Sequence, residues 1–130
     1  MGANDYLVMP LDVYELLARL NALQRRPPLG GDLVLPSGDV VLDPSLKQVK
    51  ETGRIVPLTA AELALLELFL YRSPSVIPRQ TIAAQVWDVE AEVVGPNTID
   101  VFAGRLRATF LKGHTRIETV PGSRYRLVAV

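Results

Sequence analysis

The sequence predicts an α+β fold, and three observations carry that prediction. Between residues 32 and 58 apolar and polar residues alternate at a period of two, the spacing of half-buried strands. From Thr59 to about residue 112, three segments carry helical spacing instead. At the end of the chain, RIETV (116–120) and RYRLV (124–128) alternate again around Pro121, Gly122 and Ser123, the pattern of a β-hairpin.

Taken in order, YLVM (6–9), closed by Pro10, suits a buried strand. Asp12 can cap a helix whose apolar positions Val13, Leu16, Leu17, Leu20 and Leu23 recur at helical spacing. Arg25 and Arg26 suit its negative end, and Pro27-Pro28 with Gly30-Gly31 stops it. One strand and one helix cannot make a core. Residues 1–26 therefore read as the remnant of a larger unit, 27–31 as a linker, and 32–130 as the main domain.

Within that domain, LVL, DVVLD, KQVKE and RIVPL predict an N-terminal antiparallel sheet of three or four strands, with turns at 36–38, 43–45 and 52–53. Thr59 and Glu62 form a T-x-x-E capping box before LALLELFLY, and that helix is expected to end near Ser73-Pro74. A second helix is expected from Pro78 to Trp87, and residues 88–95 read as an acidic loop. Pro96 suits the first turn of a third helix fading near Lys112-Gly113. Trp87 and Tyr125 are expected in the core.

Composition narrows the function. The 130 residues make about one domain, and 48% are hydrophobic, enough for a packed core. No apolar run reaches the ~18 residues of a membrane span, and no signal peptide opens the chain. The absence of cysteine removes disulfides, cysteine metal sites and a cysteine nucleophile, and suits a reducing cytoplasm. His114 is the only histidine and has no metal-ligand neighbours. Glu90 and Glu92 lack the pocket and partners that acid–base catalysis needs. No nucleophile elbow or glycine-rich phosphate loop is present, so no enzyme activity, metal or cofactor is expected.

Charge is balanced overall but not along the chain. Residues 31–96 hold five Lys/Arg against nine Asp/Glu, whereas residues 97–130 hold six against two. This polarity fits either one end facing a polyanion or ordinary solvated charge.

The third helical segment, NTIDVFAGRLRATFL (97–111), sharpens the choice. On a helical wheel Ile99, Phe102, Ala103, Leu106 and Phe110 share one face. Asn97, Val101, Gly104, Arg105 and Ala108 lie opposite, a small or cationic surface with Arg107 to one side. An α-helix enters the DNA major groove only where such a surface lets the backbone approach, and Arg forks onto guanine or phosphate. The helix alone fits a surface helix with incidental arginines better, and the order of elements decides. Three helices followed by a hairpin describe a winged helix-turn-helix: recognition helix 97–111 in the major groove, and wing 115–128 on backbone or minor groove. Thr98, Arg116, Thr119 and Ser123 can donate to phosphates beside Lys112.

These residues resemble the DNA-binding domain of OmpR/PhoB-family response regulators, the two-component (phosphorelay) transcription factors. The matching pieces are VPLTAAELALLELFL, IPRQTIAAQVW, NTIDVFAGRLR and ETVPGSRYRL, in that family's order. Read with it, Val101 and Arg105 address base edges, bordered by Thr98, Asp100 and Gly104. Arg107, Lys112, Arg116, Thr119 and Arg124 address phosphate or the minor groove. The resemblance further implies contact with RNA polymerase through loop 88–95, and homodimers in tandem on direct repeats. Two departures bear on DNA: Gly104 stands where many members carry Arg, and Pro121 replaces the usual minor-groove Arg of the wing.

Residues 2–26 resemble the last strand and helix of a receiver domain. Tyr6 then holds the aromatic switch position, and Asp5 and Arg19 hold positions of ion pairs between paired receivers. Met9 stands where the family places a phosphoryl-contacting lysine. The phosphate-accepting Asp would lie upstream, so the chain as given is not expected to accept phosphate, and its start suggests a truncated gene or a fragment. Two alternatives stay open: a winged-helix protein-interaction module, and a truncated, non-functional regulator that self-associates through the unpartnered Val13, Leu16, Leu17 and Leu20.

Overall fold

The capping box organises the centre of the fold. In the computed structural model, which describes residues 10–24, 33–34, 40–44, 46–109, 115–122 and 124–129, Thr59 Oγ1 accepts from the Glu62 amide at 3.3 Å and Glu62 Oε1 accepts from the Thr59 amide at 3.0 Å. Two otherwise unpaired amides are satisfied reciprocally, which fixes where the helix begins. The helix, α2 (Ala60–Arg72), is buried almost all round: Ala61, Ala64, Leu65, Leu66, Leu68, Phe69 and Leu70 enter the core. Glu67 is buried with them and faces Lys47 Nζ at 3.8 Å.

Ahead of α2 lie a helix, α1 (Leu11–Gln24), and four strands: β1 (Leu33–Val34), β2 (Val40–Asp43), β3 (Gln48–Glu51) and β4 (Arg54–Val56). The strands form one antiparallel sheet in sequence order, with Leu42 opposite Val49 and Val49 opposite Val56. Alternation places Val40, Leu42 and Val49 in the core. The β3–β4 hairpin turns on Thr52 and Gly53, both at positive φ (49° and 85°), the backbone that the right-handed twist of a two-residue hairpin demands.

After α2 come α3 (Arg79–Ile82), a π-helical turn (Ala83–Trp87), a single helical turn α4 (Ala91–Val94), and α5 (Pro96–Thr109). Strands β5 (Thr115–Val120) and β6 (Arg124–Ala129) close the described chain as an antiparallel hairpin. The expected second helix is thus α3 continued by the π turn, its N-cap Pro78 making no side-chain cap. The expected acidic loop is corrected in part, because α4 forms inside it. Arg79 Nη2 donates to Ala91 O at 3.2 Å and anchors that turn. The hairpin joins the helices through Ile77, whose amide donates to Tyr125 O at 2.6 Å and whose carbonyl accepts from the Tyr125 amide at 3.1 Å.

Helix α1 turns most of its leucines outward and packs on the rest of the chain through other residues. Leu16, Leu20 and Leu23 point outward, 55%, 47% and 78% exposed, while Tyr14, Ala18 and Asn21 are buried. Apolar packing and hydrogen bonds together hold that face. Tyr14 packs edge-on to Trp87, with ring centroids 5.8 Å apart, and the Trp87 indole donates to Tyr14 O at 2.8 Å. Asn21 Nδ2 donates to Gln85 O and Val86 O at 2.8 and 3.0 Å, pairing carbonyls that a helix end leaves without partners. Glu15 Oε1 accepts from the Ala61 amide at 2.8 Å, at the start of α2. Ala18 is small enough to let α1 approach that surface closely. Of the remaining predicted apolar positions, Val13 and Leu17 are half-buried.

Candidate nucleic-acid interface

The apolar stripe of α5 places the candidate surface. Ile99, Phe102, Ala103 and Leu106 are fully buried, so the opposite face must look outward: Asn97, Val101, Arg105 and Ala108 are exposed and Gly104 is half-exposed. Phe110, expected on the inner face, lies outside the described residues. A Cβ built at Gly104 would meet nothing within 4 Å. Packing inside the domain therefore does not require glycine there, although a helix-interior glycine costs roughly 1 kcal/mol relative to alanine.

Arg105 is held rather than loose. Its guanidinium lies 5.6 Å from the centroid of the Phe102 ring, and its Nη1 is 3.8 Å from Glu62 Oε2. Its side chain keeps 44% exposure against 12% for Glu62. Thr109 Oγ1 donates to the Arg105 carbonyl at 2.9 Å, near the C-terminal end of α5.

Two side chains tie α5 to the hairpin. Arg107 Nε donates to Ile117 O and Arg107 Nη2 to Thr119 Oγ1, each at 3.0 Å. On the other strand, the Tyr125 hydroxyl donates to Asp100 Oδ1. Burial, then the hydrogen bond and negative charge of Asp100, hold the Tyr125 phenol well above its usual range, against a smaller opposing pull from Arg107 and Arg79. Helix and hairpin thus meet through a bond to each strand, which fixes the hairpin relative to the outward face of α5. Arg107, Thr119 and Asp100 are expected from the sequence as DNA-side groups. The structure brings Arg107 and Thr119 to each other and Asp100 to Tyr125. Cross-strand pairing of Thr119 with Tyr125 is the signal that would have linked them.

At the wing tip, Gly122 sits at φ 91°, and Arg124 Nε donates to Pro121 O at 3.0 Å while its side chain stays exposed. Arg126 pairs with Glu118 at 2.7 Å across the strands. Thr98 is half-buried in the first turn of α5. Arg116 lies on β5 opposite Val128. Lys112, Ser123, His114, Asp5 and Tyr6 fall outside the described residues. Arg19 is exposed on α1, where it lines an open groove of about 210 Å³ with Leu23, Lys47, Leu63 and Glu67. Among the described residues no group of three His, Cys, Asp or Glu side chains could hold a metal. No described helix is long and apolar enough to cross a membrane.

Comparison with known proteins gives the family and the fold. A family model described as "Transcriptional regulatory protein, C terminal" matches residues 53–127. The transcriptional activator protein IrlR of Burkholderia pseudomallei is 38% identical over 129 residues, covering 98% of this chain and 56% of that protein. The chain thus spans about half the length of the curated relatives it matches. Among solved structures, the DNA-binding domain of CpxR from E. coli superposes with a TM-score of 0.66 at 24% identity, over 77% of this chain and 98% of that one. The Klebsiella pneumoniae RstA DNA-binding domain in complex with the RstA box gives 0.65 at 22% identity, over 76% and 98%. These two likenesses speak for the fold.

Proposed function

The chain belongs to the OmpR/PhoB-type family of transcriptional regulatory C-terminal domains, and from that premise we propose that it binds duplex DNA in a sequence-specific way, with α5 in the major groove and the β5–β6 wing on the backbone or minor groove. One observation carries the reading: the outward face of α5 is small and cationic, and Arg107 and Asp100 tie it to the wing. Val101 and Arg105 read base edges, with Thr98, Asp100 and Gly104 alongside. Lys112, Arg116 and Arg124 meet phosphates or the minor groove. Arg107 and Thr119 act there too, chiefly by setting where the wing stands.

On this reading residues 32–130 are the DNA-binding domain, 27–31 a linker, and 1–26 the end of a receiver whose pairing face includes Asp5, Tyr6 and Arg19. Two copies sit in tandem on direct repeats. The exposed Glu90 and Glu92 give the 88–95 segment an acidic surface for RNA polymerase. The protein works in the cytoplasm, without enzymatic activity.

The test starts from a duplex selected out of a random-sequence pool by the protein itself, followed by titrations at increasing salt. About three phosphate contacts predict a log–log slope near −3. Lys112→Ala should weaken selected and scrambled duplexes alike and flatten the slope by about 1. Absence of binding even at low salt would contradict the proposal and favour a protein-interaction module.

A further inference from the structure

Glu62 does two things at once. One carboxylate oxygen, Oε1, is committed to the Thr59 amide in the capping box at 3.0 Å. The other, Oε2, faces Arg105 Nη1 at 3.8 Å. The capping box leaves Glu62 little freedom, and its side chain is only 12% exposed. Arg105 lies against it on one side and against the buried Phe102 ring on the other. A flexible side chain that must read a base is therefore held by fixed points on two helices.

We propose that Glu62 is a positioning residue for DNA recognition, which restrains Arg105 so that its guanidinium addresses a base edge and not the nearest phosphate. This rests on Arg105 being a base reader. At 3.8 Å the contact is electrostatic, beyond hydrogen-bond range, so a base can compete for the guanidinium without first breaking a short bond. The negative charge also opposes phosphate capture: Glu62 offsets part of the Arg105 charge that would otherwise draw any duplex. Such repulsion against the wrong ligand raises specificity while lowering overall affinity.

Glu62→Gln isolates this role, because glutamine also completes a capping box while the charge is lost. Binding is read by fluorescence anisotropy on the selected duplex and on a scrambled copy. The variant should bind the scrambled duplex at least ~3-fold more tightly, with a salt slope steeper by up to about 1 as Arg105 becomes available to a phosphate. The selected-to-scrambled ratio should fall ~5-fold or more, within the range expected for one well-placed arginine–base contact. Thr59→Ala, which removes the cap and keeps the charge, should lower thermal stability and leave that ratio unchanged. In an Arg105→Ala background, Glu62→Gln should no longer move the ratio.

An unchanged ratio for Glu62→Gln, with a reduced ratio for Arg105→Ala, overturns the Glu62 assignment alone. If Arg105→Ala itself leaves the ratio unchanged, the base-reading role falls, and the Glu62 assignment with it. A ratio lowered equally by Thr59→Ala and Glu62→Gln makes Glu62 a cap and nothing more.

Discussion

Asn21→Ala probes the docking of α1 against the π turn. Asn21 is 8% exposed, and its amide pairs the carbonyls of Gln85 and Val86 at 2.8 and 3.0 Å. Truncation removes two neutral hydrogen bonds, worth about 0.5–1.5 kcal/mol each, and leaves a buried carbonyl at Val86 and a part-buried one at Gln85. Water would reach part of the vacated site, so the expected loss is about 2 kcal/mol. With a urea dependence of about 1.5 kcal/mol per molar, the unfolding midpoint should fall by about 1.3 M. The assay is equilibrium urea unfolding followed by Trp87 fluorescence, since that indole lies against Tyr14 and donates to its carbonyl. Leu16→Gln on the exposed face of the same helix is the control, expected within about 0.5 kcal/mol of the parent. A midpoint for Asn21→Ala that matches this control would refute the reasoning, because the two bonds of the Asn21 amide would then contribute nothing to the docking of α1.

Two further outcomes follow from the recognition helix and its wing. Tyr125 ionises above its ordinary value of 10.0 because burial and Asp100 oppose the phenolate. Its contribution is fully present below about pH 10 and is lost as pH rises beyond that, where the unfolded chain releases the proton first. Tyr125→Phe should cost about 1–2 kcal/mol at neutral pH through the lost bond to a carboxylate, yet show a shallower alkaline decline in a pH series of unfolding free energies. An alkaline decline identical to that of the parent would contradict this. Gly104→Ala should stabilise the domain by about 0.5–1 kcal/mol, because the added methyl meets nothing within 4 Å. Lowered stability on urea unfolding would count against the open geometry at that position.

The parts of the fold legible in sequence were those where one signal had no competitor. The capping box fixed the start of α2, since Thr59 and Glu62 are spaced to satisfy each other's amides. Helical spacing in 97–111 found the inner face of α5, where Ile99, Phe102, Ala103 and Leu106 are fully buried. The hairpin followed from strict alternation about Pro121 and Gly122. In α1 the leucine stripe was legible but the docking face was not: Tyr14 donates to the carbonyls of Val93 and Val94, and Asn21 to those of Gln85 and Val86, and no helical period encodes such distant partners. In the candidate site, the exposure of Val101 and Arg105 was legible from the wheel. The partners of Arg105, Arg107 and Asp100 were not, because Glu62, Ile117, Thr119 and Tyr125 come from distant elements and no local period encodes them. A one-turn helix such as α4 is likewise too short for periodicity to reveal.

The central claim is that the outward face of α5 reads DNA sequence, and Arg105→Ala tests it most directly. Affinities for the selected and scrambled duplexes, measured at one fixed salt concentration, give the specificity ratio. The variant should lose about 1–3 kcal/mol on the selected duplex, relax preference at one base pair, and lose much less on the scrambled one. Equal losses on both duplexes would contradict it, and would make Arg105 a phosphate contact instead of a base reader.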